Sequence, residues 1–299
     1  MATVVALQNL AHSVLPDLVP KVLETTTFKT SDGEEYEYSI EEFVDGTRNL
    51  WAAWRELDTA QQREMMDSIG TALAKLQTLK LDDSKVREAL KDTPFTKEAC
   101  PFGSAVFGYF KDVPELLRTF ITNFQPYDTE LSTVINDCLA ESGVTVKSIY
   151  SGIPSVNISR ENLDALKKDS VLCHHDLEPR NILVRQSPNG GYELAAIVDW
   201  ETAGFYPFAF EYWLKDWRFG RDDQNFTWYM NFKERLEHLL PQHEGTDKFI
   251  AALQTIDEGR ERKLGRLLDG VEKKLWIVRN GGVWVGGRKG WGRKEGKLR

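Results

Sequence analysis

The chain has 299 residues and a mass of 34.2 kDa, with 46 acidic and 38 basic side chains, and 41% of its residues are hydrophobic. That profile fits a folded protein of one or two domains and excludes a disordered or fibrous one. No apolar run approaches the roughly 18 residues of a bilayer span, and the first 15 residues lack the basic start and cleavage site of a secretion signal, so a cytoplasmic address without membrane contact is expected.

In chain order, Ala2 to Ser13 places Val4, Leu7 and Leu10 at helical spacing, and Pro16 and Pro20 end the pattern. Lys21 to Phe28 and Tyr36 to Val44 are β-branched and aromatic runs on either side of Thr30-Ser31-Asp32-Gly33, which predicts an antiparallel hairpin. From Thr59, a good N-cap residue, Met65, Met66, Ile69, Ala72, Leu73 and Leu76 predict an amphipathic helix to about Leu79. Helical patterns recur over 112–123 and 128–142. Val171 to His174, Asn181 to Gln186 and Tyr192 to Asp199 then read as strands, the last two joined by a turn at Ser187 to Gly191. Residues 208–278 read as helices, and the thirteen aromatics from Trp200 to Phe232 as mostly their core.

Residues 281–299 form a Gly-rich basic tail that reads as an unpacked extension. The last twenty residues are net +5 against −8 for the whole chain, which leaves −13 on the rest. An acidic body disfavours nucleic acid as a partner and tilts toward a small neutral or amine-bearing molecule. Cys100, Cys138 and Cys173 are odd in number and show no C-x2-C spacing, so they read as reduced, packed thiols.

Two segments carry chemistry: Cys173-His174-His175-Asp176-Leu177-Glu178-Pro179-Arg180-Asn181-Ile182-Leu183-Val184, and Ala196-Ile197-Val198-Asp199-Trp200-Glu201-Thr202-Ala203-Gly204. Phosphoryl transfer needs a carboxylate to orient the acceptor hydroxyl and oxygen ligands to hold magnesium on the nucleotide phosphates. Asp176, Asn181 and Asp199 supply these groups, with the base on a loop, the amide at the start of the next strand, and Asp199 returned beside them by a strand-turn-strand. His174 and His175, as neighbours pointing apart with no further ligand cluster, do not read as a zinc pair.

These two segments resemble the catalytic loop and metal-binding segment of the aminoglycoside phosphotransferase-like family, whose fold is similar to that of the protein kinases. The likeness extends through Val19-Pro20-Lys21-Val22-Leu23 and Ile40-Glu41-Glu42-Phe43-Val44-Asp45-Gly46, and covers roughly residues 5–245. It implies a mixed α/β, kinase-like protein with a remnant small lobe at 1–46, a mainly helical larger lobe at 47–280 and the tail at 281–299. It further implies ATP and Mg2+ as cofactors and a small-molecule acceptor. Asp176 would be the catalytic base and His174 would brace its loop. Asn181 and Asp199 would be the magnesium ligands, and the backbone of Glu42, Phe43 and Val44 would meet adenine. His175 stands where the family often has Gly. The Gly-rich strand pair and strand lysine of the family have no counterpart in this sequence, and Gly281 to Gly292 follows no suitable strand. Two further readings therefore stand beside a small-molecule kinase: a non-catalytic metabolite- or protein-binding protein, and an enzyme of specialised metabolism that uses the same pocket without ATP.

Overall fold

The computed structural model describes residues 1–123, 133–137, 142–188, 190–219, 226–267, 277–279, 282–287 and 290–294; for 123, 137, 217–219 and all residues beyond 262 it gives the backbone alone. Cys138 lies outside these residues.

Helix α1 (Ala2–Val14) turns Leu7, Leu10 and Ala11 inward. Strands β1 (Val22–Lys29) and β2 (Glu35–Glu41) form the expected antiparallel hairpin, whose turn closes through Gly33 at φ +91°. Strand β3 (Thr47–Asn49) and the single turn α2 (Leu50–Ala53) lead into α3 (Thr59–Leu76). The cap of α3 is Asp58, not Thr59: its carboxylate accepts from the Ala60 and Gln61 amides while Gln61 reaches back to the Asp58 amide, a reciprocal box that a Thr one residue later does not close. The core face of α3 is the one read from periodicity, with Met65, Met66, Ile69, Ala72, Leu73 and Leu76 all buried.

Short helices α4 (Ser84–Ala89) and α5 (Pro94–Lys97), strands β4 (Phe102–Ser104) and β5 (Gly108–Phe110), and helix α6 (Val113–Asn123) follow. The helix expected over 128–142 is replaced at its centre by strand β6 (Thr133–Asp137). Its β-branched Thr133, Val134 and Ile135 pair with β7 (Val144–Ser148), which pairs in turn with β8 (Val156–Ile158). After α7 (Arg160–Lys168) come β9 (Ser170–Cys173), a 3-10 turn at Pro179–Asn181, β10 (Ile182–Gln186), β11 (Tyr192–Ile197) and β12 (Gly204–Pro207). Helices α8 (Phe208–Phe219), α9 (Phe226–Leu236) and α10 (Glu244–Leu267) complete the body. Where an unpacked tail is expected, the backbone forms three short antiparallel strands, β13 (Ile277–Arg279), β14 (Gly282–Gly287) and β15 (Gly290–Lys294). Val278, Val283 and Val285 give that segment a strand pattern that its glycine and charge content obscures.

Two antiparallel sheets position the polar segments. One has the order β11-β10-β3 and the other β5-β4-β12-β9. The aromatic run packs between them and the helices: Phe205, Tyr206, Trp213, Trp228 and Phe232 are at most 1% exposed, and Trp228 meets Trp54 edge-on at 5.3 Å. Cys100 and Cys173 are buried and unpaired.

The glycine that ends the second polar segment has a packing reason. A Cβ on Gly204 would stand 2.0 Å from the Gly103 carbonyl oxygen, where β12 crosses β4, so backbone has to yield to any side chain there. Gly204→Ala is expected to destabilise the protein by about 1–3 kcal/mol, the usual cost of overpacking. Urea unfolding of the two proteins measures this, and an unchanged midpoint would contradict the contact.

Candidate active site

The loop from β9 to β10 and the turn from β11 to β12 meet through their backbones: the Val198 amide donates to the Asn181 carbonyl at 2.9 Å, and the Thr202 hydroxyl donates to the His174 carbonyl at 2.9 Å. Asp176, 8% exposed, lies at the centre of the loop. Its Oδ2 accepts from Asn181 Nδ2 at 2.9 Å and from Arg180 Nη2 at 2.5 Å, and its carbonyl accepts from the same Asn181 nitrogen at 2.9 Å. Asn181 thus holds Asp176 through its amide nitrogen.

His174 is fully buried and links the two segments. Its Nδ1 accepts from the Asp176 amide at 3.3 Å and its Nε2 donates to the Val198 carbonyl at 2.9 Å, which places the proton of the neutral ring on Nε2. Asp199 follows that carbonyl in the left-handed region at φ +68°. Burial and the charge of Asp176 push the Asp199 carboxyl above its ordinary range, with Glu41 adding to the rise and with Arg180 and the Asn181 amide opposing it. Asp199 has no ion-pair partner among the described residues.

Beneath the loop lies a layer of buried charge that sequence reasoning missed. Glu211 of α8 accepts from the His174 amide at 2.9 Å and also from the His175 amide. Lys215, one turn further on, donates to the Leu177 carbonyl at 2.7 Å and to Glu178 Oε1 at 3.1 Å, and the Tyr229 hydroxyl of α9 donates to Glu178 Oε2 at 2.7 Å. Lys215 and Glu178 are each 1% exposed. The available signal was a glutamate and a lysine four residues apart in the most aromatic helix of the chain, where a charged pair cannot face solvent. His175 has φ +66°, which explains why glycine suits this position, and it pays for that strain by stacking on Tyr206 at 3.8 Å.

The structure therefore brings Asp176, Asn181, Asp199 and His174 together. It does not bring Glu42, Phe43 and Val44 into hydrogen-bond contact with them. The Glu42 amide donates to the Lys21 carbonyl at 3.0 Å, the Val44 carbonyl accepts from the Thr47 hydroxyl at 2.8 Å, and the Phe43 side chain is 88% exposed. From this segment it is Glu41 that acts on Asp199.

A model described as the phosphotransferase enzyme family matches residues 6–241, well over half of the chain. The chain belongs to this family. Its architecture is mixed α/β, with helices around antiparallel sheets. Among solved structures, the apo crystal structure of a thermostable mutant of aminoglycoside phosphotransferase APH(4)-Ia is similar at 14% identity, with a TM-score of 0.42 over 90% of this chain and 80% of that one. No curated protein matches the sequence. No helix among the described residues is long and apolar enough to cross a membrane.

The donor set suits a magnesium ion that arrives with a nucleotide. Among the described residues no group of three or more His, Cys, Asp or Glu side chains is placed to hold a metal alone. The Asn181 amide lies beside the Asp199 carboxylate, whose neighbouring charge is also negative, and magnesium commonly takes one or two protein ligands and completes its shell with phosphates and water.

His174 makes the site sensitive to acid. Burial pulls its pKa from 6.5 down to about 4, against the opposing bond to the Val198 carbonyl. Between those values the unfolded chain binds a proton that the native ring does not, so stability is full above pH 6.5 and is lost as pH falls toward 4, by about 3 kcal/mol in all. Urea midpoints at pH 7 and 4.5 should differ in that direction, and His174→Gln should flatten the dependence. An equal pH slope in the variant would rule His174 out as its source.

Proposed function

We propose that this phosphotransferase moves the γ-phosphoryl group of ATP to a hydroxyl of a small molecule. The observation that carries the reading is the convergence of Asp176, Asn181 and Asp199 at the junction of two strand loops, in a chain of this family. Asp176 receives the acceptor O–H and takes its proton as the oxygen attacks. Asn181 fixes the rotamer of that carboxylate through Oδ2. Asn181 and Asp199 are the residues that would hold Mg2+. The ion, when bound, supplies positive charge to the β- and γ-phosphate oxygens. His174 keeps the two segments in register by bonding to both.

The net charge of −13 on residues 1–279 supports an acceptor that also carries an amine, since the summed field raises the local concentration of cations. Amino alcohols, aminoglycosides and amino sugars form the first panel to assay.

ADP release with that panel tests the reading. Asp176→Asn should lower kcat by roughly 10²- to 10⁴-fold with little change in ATP affinity, as expected for loss of a general base. Asp199→Ala should instead remove the magnesium-dependent part of nucleotide binding, read by calorimetry with and without EDTA. Wild-type behaviour in both variants would overturn the assignment, and turnover of a metabolite without ATP would favour the pocket serving other chemistry.

A further inference from the structure

We propose that Arg180 is a catalytic residue: its guanidinium, held on Asp176, supplies positive charge from the loop itself to the phosphoryl group in flight. The inference rests on the phosphotransfer reading and deepens it, because nothing in that reading requires a cation at position 180.

The geometry is specific. Arg180 is the one exposed residue in the otherwise buried run 171–182, with its side chain 47% accessible while that of Asp176 is 12% accessible. Its Nη2 sits 2.5 Å from Asp176 Oδ2, an atom that Asn181 Nδ2 already holds at 2.9 Å. A second donor is not needed to place that carboxylate. A half-exposed ion pair also contributes little to stability, because solvent screens it and ordering a long side chain opposes it. The position therefore makes more sense as chemistry than as structure.

Three carboxylates, Asp176, Glu178 and Asp199, act electrostatically on this one guanidinium. Glu178 is already bonded to Lys215 and Tyr229. Asp176 and Asp199 remain, the proposed base and the proposed metal ligand, and the transferring group must pass between them. Only Nη2 of Arg180 is hydrogen-bonded to a described residue. The planar fork leaves Nη1 and Nε as donors that can turn to a phosphoryl oxygen while Nη2 stays on Asp176.

In the step, the acceptor oxygen forms a bond to the γ-phosphorus and its proton passes to the Asp176 carboxylate. The bond from that phosphorus to the β–γ bridging oxygen breaks, and its electron pair leaves with ADP. Negative charge spread over the three peripheral oxygens is met by Arg180, at the moment when Asp176 loses its own charge to the proton and no longer competes for the guanidinium. The contact strengthens in the transition state relative to the ground state, which is the condition for raising kcat.

The test compares Arg180→Ala and Arg180→Lys with the wild-type protein. Arg180→Ala should lower kcat by about 10²-fold, the scale on which removal of one preorganised donor acts, while KM for nucleotide and acceptor stays within about twofold. Arg180→Lys should fall between the two, and guanidinium ion added to Arg180→Ala should restore part of the rate. A second readout needs no turnover: calorimetry of ADP, magnesium and aluminium fluoride, the planar mimic of the transferring group. Arg180→Ala should bind this set at least about tenfold more weakly and should bind ADP with magnesium as the wild type does. Equal melting temperatures would exclude a folding defect. A variant with wild-type kcat and wild-type affinity for the fluoride complex overturns the role of Arg180 and leaves the phosphotransfer reading intact. A rise confined to acceptor KM also overturns it, since that marks ground-state recognition. If the wild-type protein binds no nucleotide and transfers no phosphate, both readings fall together.

Discussion

A loop that runs through the interior has no ladder to satisfy its backbone, and this constraint organises the rest of the molecule. Residues 174–178 are all buried, in irregular backbone, between two strands of different sheets. Each buried N–H or C=O left without a partner would cost on the order of 1–3 kcal/mol. The chain answers with side chains from elsewhere: Glu211 for the His174 and His175 amides, Lys215 for the Leu177 carbonyl, Asn181 for the Asp176 carbonyl and Thr202 for the His174 carbonyl. The charged residues of α8 make sense in that light. They lie on an aromatic helix because the loop above them needs donors and acceptors that no sheet provides. Buried pairs such as Lys215–Glu178 add little net stability, since desolvation offsets their attraction. What they contribute is a fixed place for Asp176.

The same constraint accounts for the strained backbone. His175 and Asp199 both have positive φ, which costs a non-glycine residue about 1–2 kcal/mol. Neither can relax, because the residues on either side are tied: His174 through both ring nitrogens and its backbone, Asp176 through its amide, carbonyl and carboxylate, Val198 through its amide and carbonyl. The turn at Asp199 aims a carboxylate out of a strand end toward Asn181, and the turn at His175 sends its ring back into the aromatic core beside Tyr206 and Phe210. Gly204 lets β12 pass within backbone contact of β4 just beyond this point. Two of the strained positions and one close backbone approach thus fall within the two segments that hold the site.

Those two segments were legible in the sequence because their chemistry is local: Asp176 and Asn181 are five residues apart, and alternation plus turn residues identify β10, β11 and the hairpin between them. The helix face of α3 was legible for the same reason, as a period of 3.6 over eighteen residues. Reading failed where the deciding partner is distant or weakly patterned. Asp58 displaces Thr59 as a cap through a bond to Gln61 that periodicity does not contain. Thr133 to Asp137 become a strand because β7 lies ready to pair, a tertiary fact that overrides a marginal helical pattern. Glu211 and Lys215 were hidden because their partners are about 37 residues upstream.

Charge balance draws these strands of evidence to one place. Asp176, Glu178 and Asp199 bring three carboxylates to one small region, and among the described residues Arg180 and Lys215 meet them as cations. Lys215 is engaged with Glu178 below the loop, where water does not reach, and Arg180 with Asp176 at its edge. Asp199 is left next to like charge, and its raised pKa records that repulsion together with its partial burial. Partly buried beside like charge, this carboxylate is the one that an arriving cation gains from. In the proposed phosphotransfer reaction a nucleotide carrying magnesium would supply such a cation, and its phosphates would then lie between Asp199 and the Arg180–Asp176 pair. On this view the site is not a cage for metal but a half-balanced set of charges that the substrate completes, so metal, nucleotide and acceptor should depend on one another for binding.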